Sequence, residues 1–145
     1  MTVAPSTGPL PLSSKKILTL AAARAIGAAA EAEATGNRCS MCIAIVDDGG
    51  HLLHFSRMDG SGIGSIEVAI AKARSALLFR RPTKDFQDGL AGGSTALLAL
   101  PTIVPFEGGV PLVHGGETVG AIGVSGGTPE LDGRVGLAGA ARLAS

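Results

Sequence analysis

Residues 108–127 read GGVPLVHGGETVGAIGVSGG, and few sequences constrain a fold so tightly. Val110 to His114 and Thr118 to Val124 are runs rich in β-branched and apolar residues, with Gly115-Gly116 between them. Such a pair supplies the positive φ that a tight antiparallel turn demands, so the segment is predicted to be a buried hairpin. Gly120 and Gly123 carry no side chain within the second strand, so a ligand, a neighbouring subunit or a packed helix must approach its backbone closely.

The hairpin sits in a chain of 145 residues, enough for one compact domain and too few for two good cores. Residues 1–12 contain three prolines and read as a disordered N-terminal tail, leaving residues 13–145 as the domain. Ser13 or Ser14 is the expected N-cap of an Ala-rich helix ending near Gly36. A strand over Met41 to Val46, an Asp47-Asp48-Gly49-Gly50 turn and a strand over His51 to Arg57 form a second hairpin. Ile63 to Phe79 reads as a helix, apolar on nearly every face and so covered on more than one side, stopped before Arg81-Pro82. Thr83 is the expected cap of a short helix through Leu90, and residues 92–109 read as an irregular segment of the kind that lines pockets. Thr128-Pro129 opens a final helix. The order implies an α+β layer arrangement, an antiparallel sheet with flanking helices.

Charge excludes some functions. Lys plus Arg and Asp plus Glu are 12 each, and there is no Trp or Tyr. The chain lacks both the basic footprint and the stacking platforms of a nucleic-acid binder, and also the basic surface that anionic lipid attracts. No apolar run reaches the roughly 20 residues that span a bilayer, so no membrane partner is expected. Yet 46% of residues are hydrophobic, more than a small monomer hides, and a homo-oligomer follows. ILTLAAA after Lys15-Lys16 is too short a run, cut by Arg24, for a secretory signal; a cytoplasmic location is the expectation.

Several groups carry possible chemistry. Gly123-Val124-Ser125-Gly126-Gly127 fits G-x-S-x-G, but no histidine follows it, so it reads as a glycine-rich strand exit. Cys39 and Cys42 do not open a helix and read as buried free thiols. His54 and His114 read as solvent-facing edge or turn residues. His51, directly after the Asp-Asp-Gly-Gly turn, is the stronger candidate for ligating haem iron, with Asp47 or Asp48 orienting its ring. Arg57 can clamp a carboxylate at a strand end, or pair with Glu67 or Asp59. Glu107 can act as a general base or ride on a solvated loop.

The combination VDDGGHLLHFSRMDG, SIEVAIAKARSALLFRRPTKDF, EGGVPLV and GETVGAIGVSGG followed by Asp132 resembles the GlcG/HbpS family of haem-binding-like domains, and is similar to the C-terminal domain of PduO-type proteins. The resemblance covers residues 13–143. It implies a profilin-like sandwich assembled into oligomers such as octamers, with haem as the candidate cofactor, bound by some members of the family, or no cofactor at all. Arg57, Lys72, Gly109, Gly123, Gly126 and Asp132 match the family pattern, and with Gly108 they form the expected ligand-binding set. Two readings follow: a haem or other small-ligand-binding protein, or a small cofactor-independent isomerase, tautomerase or lyase acting on an organic acid. In the second, Arg57 holds the acid while Glu107 or His51 moves a proton.

Overall fold

The structure, a computed structural model, describes residues 2–5 and 7–143; parts of the expected tail and domain, at residues 1, 6, 144 and 145, lie outside these. In chain order the elements are α1 (Leu20–Gly36), β1 (Cys42–Asp47), β2 (Leu52–Arg57), α2 (Ser65–Phe79), α3 (Thr83–Ala91), a 3-10 helix (Thr95–Ala99), β3 (Gly109–His114), β4 (Glu117–Ser125) and α4 (Pro129–Ala141). The four strands form one antiparallel sheet in the order β2-β1-β4-β3. Both predicted hairpins are present, and the α+β sandwich is the expected one.

Strand alternation divides the core. Ile43, Ile45, Ile122, Val124, Val110 and Leu112 pack beneath α1 and α4 with Ile26, Ala30 and Val135. Cys42, Ala44, Val46 and Ala121 meet Ala69, Ala73 and Ala76 of α2 on the opposite face. The second layer is built of small residues on both sides, so α2 lies very close to the sheet. A Cβ on Gly123 would stand 2.0 Å from the Ala69 carbonyl oxygen, which identifies a packed helix as the cause of that glycine. Gly109, Gly123, Ala44 and Phe55 are aligned across the four strands. Along this one row side-chain size grows from β3 to β2.

Three local expectations are corrected. Neither Ser13 nor Ser14 caps α1; Thr19 does, its Oγ1 accepting from Ala22 N at 3.1 Å. Starting the helix after Lys15 and Lys16 keeps two cations away from the positive end of its dipole. Thr83 is the first residue of α3 rather than its cap, and its buried Oγ1 accepts from Gly109 N at 2.8 Å, tying the helix to β3. Within one chain α2 keeps an exposed outer face, with Glu67, Val68, Arg74 and Leu78. Its C-terminus is closed by Arg80 in the left-handed conformation, φ 52°, whose N–H donates to the Ala76 and Leu77 carbonyls.

Candidate functional site

Of the expected ligand-binding residues, Lys72, Asp132, Gly108 and Gly109 gather around a buried ion pair, whereas Arg57 lies on the far edge strand of the sheet. Lys72, on the sheet-facing side of α2, is 3% exposed, and its Nζ donates to Asp132 Oδ2 and to the Val124 carbonyl, each at 2.9 Å. The other carboxylate oxygen of Asp132 accepts from Gly127 N at 2.8 Å. A Cβ on Gly108, where φ is +135°, would lie 2.5 Å from the Val124 oxygen and 2.9 Å from Lys72 Nζ. One on Gly109 would meet the Lys72 carbonyl, and one on Gly126, at φ +139°, the Ser40 carbonyl. The chain's own groups fill the spaces these glycines open. The cluster therefore ties α2, β4 and α4 together.

Glu107 stands at the rim of this cluster. Its backbone N donates to Gln87 Oε1 at 2.8 Å, and its carboxylate lies over Gly133 of α4, where a Cβ would come within 2.4 Å of Oε2. Burial pushes its carboxyl above the usual range; Lys84 opposes the shift, and Glu130, Asp88 and Asp132 reinforce it.

Arg57, Glu107 and His51 are not brought together. Through the register Arg57↔Cys42↔Ser125, Arg57 shares an end of the sheet with Glu107. The two occupy opposite edges, three inter-strand spacings or about 14 Å apart. His51 lies beyond the other end of β2, six residues or about 20 Å from Arg57. Arg57 is exposed, and it forms no ion pair with Glu67 or Asp59 among the described residues. Asp47 Oδ1 accepts from the backbone N–H groups of Gly49 and His51, at 2.9 and 3.0 Å, so the carboxylate orders the turn rather than the exposed imidazole.

The other histidines are not solvent-facing as expected. His54 is half-buried on β2 under Gly27, where a Cβ on the glycine would be 2.9 Å from the ring. His114, half-buried at the end of edge strand β3, borders three adjoining cavities. One of about 250 Å³ is lined by Ala22, Ala25, Ile26, Arg142 and Leu143 beside the ring. Another, of about 150 Å³, adds Ile17, Leu18 and Val119. On the polar side a third, of about 380 Å³, carries Lys15, Lys16 and Glu117. These three residues also line a cavity of about 760 Å³ reaching Arg80. Lys16 Nζ lies 3.4 Å from His114 Nε2. Sequence reasoning missed this site because its parts, residues 14–26, 114–119 and 142–143, meet only through the docking of α1 and α4 against β3 and β4.

Cys39 and Cys42 are free, and they pack on opposite faces of the sheet. Among the described residues no group of three or more His, Cys, Asp or Glu is placed to hold a metal ion. No described helix is long and apolar enough to cross a membrane.

Comparison with known proteins adds to this geometry. The family described as haem degrading protein HbpS-like matches residues 18–141. Protein GlcG of Escherichia coli K12 is 44% identical over 114 residues, 79% of this chain and 85% of GlcG. A double mutant of HbpS from Streptomyces reticuli superposes with a TM-score of 0.84 at 32% identity, over 97% of this chain and 100% of that one. PduOC, solved as a haem complex, gives 0.79 at 25% identity, over 88% and 95%. With the match spanning all four strands and helices, this chain belongs to the HbpS-like family.

Proposed function

We propose that this protein binds haem or a closely related tetrapyrrole, with His114 as the imidazole that meets the iron. The observation that carries the reading is the position of His114 between an aliphatic-walled cavity edged by Arg142 and a polar one that carries Lys15 and Lys16 beside Glu117. A tetrapyrrole is an apolar disc with carboxylates at one edge. Ala22, Ala25, Ile26 and Leu143 offer it aliphatic walls, while Lys16 and Arg142 offer cations to the carboxylates. A neutral imidazole supplies the nitrogen lone pair that haem iron takes. When bound, the haem would supply an iron centre; Ala22, Ala25, Ile26 and Leu143 would hold it, Lys16 and Arg142 would orient it through its carboxylates, and His114 would offer the imidazole nitrogen. The haem complex of PduOC supports the same reading.

His51 was the candidate ligand on sequence grounds, and its exposed turn offers no comparable enclosure. The alternative, acid–base chemistry on a small organic acid with Arg57 holding the acid and Glu107 or His51 moving a proton, needs Arg57 to meet a partner that one chain's sheet carries about 14 Å away, for Glu107, or about 20 Å away, for His51. A homo-oligomer of octamer type is also part of the proposal, supported by exposed Val68 and Leu78 on α2 and by Ile63 just before it, 78% exposed. The free thiols agree with a reducing, cytoplasmic setting.

The experiment is a haemin titration followed by absorbance on the wild type, His114→Ala and His51→Ala. The expected result is a saturable Soret shift that weakens in His114→Ala and is kept in His51→Ala. Loss only in His51→Ala would return the iron to the turn, and a flat wild-type titration would end the haem reading.

A further inference from the structure

We infer that Lys16 occupies the metal-binding nitrogen of His114 in the ligand-free chain, and moves to the ligand's carboxylate when iron takes that nitrogen. The inference rests on the haem reading above. An ammonium group has only donors, so a hydrogen bond across the 3.4 Å between Lys16 Nζ and Nε2 requires Nε2 to accept, which is the tautomer with its ring proton on Nδ1. The same lone pair is the one a metal must have. At 3.4 Å the contact is long for a hydrogen bond, and is displaced at little cost.

The surroundings give the lysine somewhere to go. Lys16 lines the apolar cavity that contains Leu18 and Val119, and equally the two polar cavities that contain Lys15 and Glu117. Its exposed, flexible stem can swing between them without disturbing the core. Neighbouring Lys15 is already paired with Asp48 at 2.5 Å, whereas among the described residues Lys16 has the imidazole as its partner. One residue thus serves two purposes: it protects the imidazole while the site is empty, and selects a ligand with an anionic edge over an uncharged disc.

Two probes separate these purposes, haemin and haemin dimethyl ester, which has no free carboxylate. Lys16→Met keeps the stem and removes the ammonium. On the diester the variant should bind about fivefold tighter than the wild type, the size of one weak hydrogen bond no longer competing for Nε2. The wild type's preference for haemin over the diester should shrink in Lys16→Met to the part that Arg142 carries, and return in Lys16→Arg. In the ligand-free protein the ring ¹⁵N resonances of His114 should move on Lys16→Met. Diester affinity that is unchanged or weaker in Lys16→Met, or His114 resonances that stay put, overturns the inference. Haemin binding that depends on His114 but ignores Lys16 removes this inference alone; a flat wild-type titration removes it together with the haem reading.

Discussion

The ammonium of Lys72 lies 2.9 Å from Asp132 Oδ2, with the two side chains only 3% and 4% exposed, so one charge from α2 and one from α4 neutralise each other across the end of β4. Each is also held by the backbone, Lys72 by the Val124 carbonyl and Asp132 by Gly127 N. Such a pair is costly to create and far more costly to break singly, because the remaining charge stays buried. Lys72→Met should therefore lower unfolding stability by about 3–5 kcal/mol. The double variant Lys72→Met, Asp132→Leu should recover much of the loss. Urea unfolding of the three proteins checks this. Equal damage in the single and double variants would mean that packing around Lys72, rather than its charge, carries the effect.

Glycines that look alike in sequence should respond oppositely to alanine. Gly123 has the Ala69 carbonyl within 2.0 Å of where a Cβ would stand, and the backbone of Ala73 within 2.5 Å, so Gly123→Ala has to push α2 off the sheet. A loss of about 3 kcal/mol or more is expected. Gly64, ahead of α2 with φ −62° and ψ −24°, has nothing within 4 Å. Gly64→Ala should gain about 0.4–1 kcal/mol by restricting the unfolded chain. Thermal unfolding of both variants provides the comparison, and a benign Gly123→Ala would show the α2 layer to be looser than described.

The contrast marks where the sequence is legible. Strand and helix types followed from alternation, Gly-Gly turns and Thr128-Pro129, all local signals that adjoining residues carry. Thr83 shows where local reading stops: a threonine after proline looks like a cap, yet its hydroxyl is used 26 residues away, on Gly109 N. Lys72 and Asp132 could be picked out through family pattern, but not as partners, since 60 residues separate them. The His114 cavity was still less visible. A lone histidine beside Gly-Gly resembles any edge-strand residue until α1 and α4 place Ala22, Ile26 and Leu143 around it.

Glu107 gives the fold a pH dependence whose sign follows from its surroundings. Burial, reinforced by Glu130, Asp88 and Asp132 and opposed by Lys84, raises its carboxyl pKa in the folded state. Between the unfolded and the folded value the native protein binds more protons than the unfolded chain, so unfolding free energy falls as pH rises through that window. The relative stabilisation is fully present below the unfolded value and is lost above the folded one. Glu107→Gln has no proton to lose. Compared with the wild type it should gain stability as pH rises from the acid side of the usual carboxylate range towards neutral, then hold a constant difference. Denaturant titrations at a series of pH values measure that difference directly. A flat line across the window would show that the Glu107 carboxylate is as well solvated in the folded protein as in the unfolded chain, whereas a fall would mean that Lys84 outweighs burial.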